Sequence, residues 1–202
     1  MTKEKLQEAF RHCVSIDLET TGLDPKYHAV VEAGACPVFG DDSSCFVECW
    51  MPHYTVYNPK ALEVNGHTQE ELRSRNAMDS KCLSQAEMVL TLLDYCERQD
   101  RTVLVGKNPS FDYKFLLHIW TGHLGREERT FPLSYRLIDY GGMAIKDMVL
   151  AGKTVPPKGF SSNDVQDFYD IPREPMPHNG LTGARYNVVA LEKIFSYNNP
   201  KI

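Results

Sequence analysis

The chain is predicted to fold as one α/β domain, residues 1–202, on a mixed five-stranded sheet flanked by helices. Three observations predict it. Strand-like runs near residues 14–19, 29–38 and 44–51 are separated by hairpin-length connections, which makes an antiparallel meander. Beyond residue 58, helical patterns alternate with short apolar β-branched segments, and strands followed by mixed helices and strands argue for a mixed sheet. Finally, 202 residues with a hydrophobic fraction of 42% are enough to bury a core without disulfide or metal staples.

Residues 3–10 form a short helical lead-in with Leu6 and Phe10 on one side. The first strand follows, then the second and third, which are joined by the turn residues Gly40-Asp41-Asp42-Ser43. Residues 58–73 are expected to make a turn and a helix, with Thr68 as N-cap and Glu71 closing a capping box. A better helix is expected over 83–98, where Met88, Leu92, Leu93 and Cys96 recur at helical spacing and Ser84 stands near the start. Residues 102–105 (T-V-L-V) read as a buried strand, 106–110 as a loop and 111–120 as a helix. A last strand is expected over 136–139, with helices over 143–150 and 161–169. The closing helix carries Ala184, Val188, Leu191 and Phe195 on one face. Residues 153–158 (K-T-V-P-P-K) read as a surface loop with freedom to move.

Composition excludes some functions. A formal charge of -5 leaves no blanket basic surface, so gripping long duplex by charge alone is not expected, although a metal could still bind phosphate locally. Cys13, Cys36, Cys45, Cys49, Cys82 and Cys96 lie mostly in apolar stretches without a C-x-x-C pair, and they read as reduced thiols of a cytoplasmic protein. Cys45 and Cys49 have no second cluster at zinc spacing. The first residues are rich in Lys and Glu, and no run approaches membrane-spanning length, so neither an address nor a membrane partner is expected.

The chemistry-bearing residues lie in three places. In V-S-I-D-L-E-T-T-G-L-D-P, starting at Val14, alternation buries Val14, Ile16 and Leu18 on one side and puts Ser15, Asp17 and Glu19 on the other. Two adjacent carboxylates repel unless a cation lies between them, and an all-oxygen site suits a hard divalent metal. On spacing alone, a solvent-facing strand edge with two ordinary acids explains the pair equally well. Gly22 then lets the backbone leave the strand in a tight turn with N–H groups near a ligand. The second place is Asp112, after Gly106-Lys107-Asn108-Pro109-Ser110-Phe111, an acid on the first turn of a helix; alone it is equally a helix-start residue. The third is His178, in Pro177-His178-Asn179-Gly180-Leu181, where an imidazole suits general-base work near neutrality, though alone it is equally a surface residue.

Together these segments resemble the DEDDh branch of the DnaQ-like 3'-5' exonuclease family, whose members include the polymerase III epsilon proofreading subunit, ribonuclease T and oligoribonuclease. The resemblance extends through Val30-Val31-Glu32-Ala33-Gly34-Ala35, Pro59-Lys60-Ala61-Leu62-Glu63-Val64-Asn65-Gly66 and Ser161-Ser162-Asn163-Asp164. It implies a ribonuclease H-like fold and hydrolysis at the 3' end of single-stranded DNA or RNA, with two Mg2+ or Mn2+ ions about 4 Å apart. By the same resemblance, Asp17 would bridge both ions, Glu19 would hold the water-activating ion, Asp112 would serve the second, and His178 would take the proton from water. Thr20, Thr21, Gly22 and Asn65 are implied in substrate binding. Leu23 is implied as an apolar wedge under the terminal base, and Asn108 and Phe111 as the cleft floor, with Phe111 equally readable as plain core. A homodimer or a polymerase partner is left open.

One position departs from the family. There the pattern is His, four residues, then Asp, but here Gly183 stands where the fourth carboxylate belongs, and glycine supplies no ligand. The water-activating ion is expected to be weakened, and Asp at 183 is expected to restore hydrolysis. Three explanations stay open: a module that binds 3' ends without cutting, an inactivated variant, or a ligand from elsewhere. For the last, Asn187 shares the face of Gly183, and Asp164, Asp167 and Asp170 stand on the preceding helix.

Overall fold

A computed structural model of the chain describes residues 2–75 and 81–197. Helix α1 (Lys3–Ala9), capped by the Thr2 hydroxyl, leads into β1 (Cys13–Thr20). β2 (Val30–Pro37) and β3 (Cys45–Cys49) complete the expected antiparallel meander, with Asp17 opposite Gly34 and Glu19 opposite Glu32. The region expected as one turn and one helix holds two helices, α2 (Pro59–Asn65) and α3 (Gln69–Ser74), because Gly66 turns left-handed at φ 72° and ends the first. Thr68 caps α3 as expected. The Glu71 side chain does not complete the capping box, since it is drawn instead to His67 and Arg75.

Next comes a two-residue strand, β4 (Cys82–Leu83), too short to show a period of two. It pairs in parallel with β3 and, among the described residues, makes the sheet six-stranded, one more than expected. Helix α4 (Gln85–Arg98) opens on a reciprocal Ser84–Glu87 capping box. β5 (Val103–Gly106) lies parallel to β1 and delivers the chain through the 107–109 turn into α5 (Ser110–His118), which runs on as a π turn to His123. β6 (Ile138–Asp139) is shorter than expected, and its Asp139 caps α6 (Tyr140–Leu150). α7 (Ser162–Tyr169), with a Ser161–Asp164 capping box, and α8 (Gly180–Ser196) close the fold. Residues 153–158 are exposed and outside any helix or strand.

The strand order is β4-β3-β2-β1-β5-β6, which puts β1 inside the sheet, flanked by an antiparallel and a parallel neighbour. Val14, Ile16 and Leu18 bury with Leu92, Phe115 and Leu116 under α4 and α5. On the opposite face, Val105, Met148, Val165 and Leu191 form a second core under α6, α7 and α8. α8 lies unusually close to β1 and β2 because Gly34 and Gly180 meet without side chains. A Cβ on Gly34 would lie 2.1 Å from the Leu181 nitrogen, and one on Gly180 would lie 2.8 Å from the Gly34 nitrogen. The six cysteines form no disulfide among the described residues and are buried except for the half-buried Cys45, and burial pushes Cys13 and Cys36 up to about 11. Among the described residues no helix is long and apolar enough to cross a membrane.

Candidate active site

Alternation along β1 turns Asp17 and Glu19 away from the α4–α5 core and into a cleft of about 700 Å³ beside α8. Asp112 joins them from the first turn of α5. Its Oδ1 accepts the Leu18 N–H at 3.0 Å, so the same bond fixes the acid and ties α5 to β1. All three carboxyls are raised, first by desolvation and then by one another. Asp17 is raised well above the ordinary range by burial, then by Asp112 and Glu174. Glu19 is pushed up to about 8 by burial, then by Asp17, Glu174 and Glu32. Asp112 is pushed up to about 7 by burial, against the opposing pull of the Leu18 N–H. Among the described residues, no three His, Cys, Asp or Glu side chains converge closely enough to hold an ion as they stand. The acids ring a cleft and do not form a closed cage.

The predicted residues divide into two groups. Asp17, Glu19, Asp112, His178, Asn108, Phe111 and Gly183 line the cleft, whereas Thr20, Thr21, Gly22, Leu23 and Asn65 do not. Thr21 is fully buried and committed internally: its backbone bonds Ala29 and Asn58, and its hydroxyl donates to the Val56 carbonyl at 2.8 Å. The Thr20 hydroxyl donates to the Gly22 carbonyl at 2.7 Å. A Cβ on Gly22 would run into the His28 ring at 2.0 Å. Asn65 is buried and donates from Nδ2 to the Thr20 carbonyl at 3.2 Å, tying α2 to the end of β1. Leu23 projects into solvent with 77% of its surface exposed. Asn108 holds a left-handed turn at φ 55°, with its N–H on Asp139 Oδ1 at 3.2 Å. Phe111 serves both readings, lining the cleft and packing on Phe115 with 5.0 Å between ring centroids.

His178 sits just before α8, and its N–H donates to the Val64 carbonyl at 3.1 Å. Its Nδ1 faces Glu174 Oε2 at 3.7 Å. Sequence reasoning missed Glu174, which lines the cleft from the segment between α7 and α8. The signal available was only an acid four residues before the histidine, in a Pro-rich stretch without periodicity. Burial raises its carboxyl, while His178 and the Asn179 backbone N–H oppose the rise.

Three aspartates considered as replacement ligands are not in the cleft lining. Asp164 is spent on its own helix cap, Asp167 pairs with Arg173, and Asp170 ends α7 in a left-handed turn. Asn187 does line the cleft, but its Oδ1 accepts the Tyr140 hydroxyl at 3.0 Å. At Gly183, the backbone of α8 lies so near β1 that an added Cβ would stand 2.2 Å from Asp17 Oδ2 and 2.6 Å from its Cγ. A side chain there requires the Asp17 carboxylate to move.

The RNase_T exonuclease family model matches residues 14–148, more than half of the chain, and ends before Glu174, His178 and Gly183. The exonuclease DPD1, chloroplastic/mitochondrial, of Arabidopsis thaliana is 26% identical over 187 residues, covering 89% of this chain and 53% of DPD1. The 3'-5' DNA exonuclease Cap18 of Escherichia coli is 30% identical over 115 residues, 55% of this chain and 58% of Cap18. The chain thus matches little more than half the length of either relative. The nuclease domain of 3'hExo, a DEDDh family member solved bound to rAMP, superposes with a TM-score of 0.68 at 14% identity, over 93% of this chain and 92% of that one. That likeness is one of fold, and it agrees with the mixed sheet described above. A family match running from β1 into α6 assigns the chain: it belongs to the RNase_T exonuclease family.

Proposed function

We propose that the cleft takes the 3' end of a single-stranded DNA or RNA and hydrolyses its terminal phosphodiester with Mg2+ or Mn2+, making the chain a 3'-5' exonuclease. The observation that carries this reading is the convergence on one cleft of buried Glu19 and Asp112 with half-buried Asp17. Among the described residues, no lysine or arginine pairs with any of them. Buried acids without counter-charge are relieved by a hard dication, and acceptor-only carboxylate oxygens are the ligands such an ion takes. The donor set therefore fits the group that the family uses, with Asp17, Glu19 and Asp112 as the residues that would hold it. When bound, a divalent ion would neutralise phosphate charge and acidify a water.

The remaining chemistry belongs to the chain itself. With Nδ1 facing Glu174, His178 presents Nε2 as the atom that accepts a proton from the attacking water. Lys107, whose Nζ donates to Ser162 Oγ at 3.0 Å, sets a cation at the rim where backbone phosphates would pass. Phe111 offers a ring in the cleft that does not select among bases. One relative is a DNA exonuclease by name and one fold neighbour was solved with rAMP, so substrates of both sugars belong in the test.

The test is a 5'-labelled single strand of DNA or RNA incubated with Mg2+ or Mn2+. The expected product is a ladder shortening from the 3' end, and Asp17→Asn should slow it by about 100-fold or more while strand binding persists. Strand binding without release at any metal concentration would replace the exonuclease with a 3'-end binding module, the reading that Gly183 favours.

A further inference from the structure

The geometry points to Glu174 as the fourth metal-holding carboxylate of this site, delivered from the α7–α8 segment in place of the aspartate missing at 183. The inference rests on the exonuclease reading and deepens it. Three independent observations support it. The first is the demand at the site: Glu19 is only 9% exposed, and among the described residues no hydrogen bond or ion pair reaches its carboxylate, although it faces the cleft. The second is the supply: Glu174 lines the same cleft with its side chain 16% exposed, and its Oε1 is buried without a hydrogen-bond partner. A buried carboxylate oxygen with no donor is costly to leave bare, and a hard cation satisfies it.

The third observation is the exclusion of the alternative. With α8 seated on Gly34, the Asp17 carboxylate fills the space where a 183 side chain would begin, at 2.2 Å. The helix cannot carry an acid at that position while Asp17 points as it does. A fourth acid must come from another wall, and a glutamate reaches one methylene further than an aspartate.

The segment that presents Glu174 is pinned on both sides. The Tyr186 hydroxyl donates to the Arg173 carbonyl at 2.7 Å, and Arg173 is itself tied to Gln166 and Asp167 on α7. Four residues on, the His178 N–H is held by Val64 of α2. One Glu174 oxygen thus lies toward the proposed base, and the other is free for an ion.

The experiment is calorimetric titration of the intact protein with Mn2+, supported by the electron paramagnetic resonance of the bound ion. Wild type, Glu174→Gln, Asp17→Asn and His178→Ala are compared, with circular dichroism reporting the fold. Glu174→Gln should weaken Mn2+ by about tenfold or more and change the resonance of the bound ion, while His178→Ala leaves the affinity within about twofold. If Glu174→Gln unfolds, Glu174→Asp, which keeps the charge and withdraws it by one methylene, should show a smaller loss of the same sign. Wild-type affinity in the Glu174 variants together with lost affinity in Asp17→Asn would overturn the inference and leave the exonuclease reading standing. Equal weakening by His178→Ala would reduce Glu174 to a positioning residue for the base and also overturn it. No Mn2+ binding by the wild type would overturn the metal-dependent reading itself.

Discussion

At the scale of single residues, Gly183 is where sequence and structure part most sharply. Aligned by motif, it is a missing ligand, and Asp at 183 is the obvious repair. In the fold it is the residue that lets α8 approach β1, because a Cβ there would meet Asp17 at 2.2 Å. Asp17 has little freedom to yield: it stands in an interior strand, paired opposite Gly34, with the start of α8 above it. Turning its carboxylate away would remove an oxygen proposed to hold the metal before any new one is placed. Gly183→Ala and Gly183→Asp are therefore both expected to weaken Mn2+ binding by about tenfold, and Gly183→Asp is expected not to raise hydrolysis. Titration calorimetry and single-turnover cleavage check this together, and a Gly183→Asp variant that binds and cuts better than wild type would refute the packing argument.

Elements hold those residues in register, and the start of α8 shows how. Asn179 caps α8, and its Nδ2 also donates to Glu32 Oε2 at 2.8 Å; Glu32 Oε1 lies 3.1 Å from His67 Nε2. Through Glu71 and Arg75, this network ties α3 to β2 and α8, so removing Glu32 should loosen the helix that carries Gly183. The Glu32 hydrogen bond raises His67 above its ordinary 6.5, more than burial lowers it. A raised histidine adds stability that is fully present below the unfolded pKa and is lost as pH rises through the folded one. Glu32→Gln should thus destabilise by about 1–3 kcal/mol near pH 6 and by less at pH 8.5, measured from urea midpoints, and equal losses at both would reject the assigned role of His67. Much of this architecture was legible in the sequence. The period of two in β1 placed Asp17 and Glu19 correctly on the face away from the apolar core, and the Ser84 start of α4 followed from capping chemistry. Other parts were not legible for physical reasons. β4 is two residues long, and Glu174 lies in a segment without periodicity. The Thr20–Gly22 turn faces inward because Ala29, Val56 and Asn58 take up its hydrogen-bonding groups, a long-range fact with no local signature.

For the molecule as a whole, the acid ring should make stability a function of pH and, with the proposed ion, of metal. Glu19 rises from 4.5 to about 8 and Asp112 from 3.8 to about 7 on folding, and desolvation leads both shifts. Groups raised in the folded state favour folding fully below their unfolded values, and that contribution is lost as pH climbs through the folded ones. The metal-free protein should therefore lose stability between about pH 5 and pH 8, by a few kcal/mol in order of magnitude. His67 adds to the same slope. The proposed divalent ion would reverse it, because it would require these carboxylates ionised and so bind more tightly as pH rises, releasing protons as it did. At 100 times its Kd the ion contributes about 2.7 kcal/mol, which for a chain of this size is a rise of roughly 5–10 °C in Tm. Thermal unfolding in EDTA should accordingly give a lower Tm at pH 8 than at pH 6. The gain from a fixed Mn2+ concentration should be greater at pH 8, and Glu19→Gln should flatten the metal-free slope and remove most of the gain. A metal-free Tm that rises over this interval, or a Mn2+ gain equal at both pH values, would show that the buried acids are not what couples this fold to its ion.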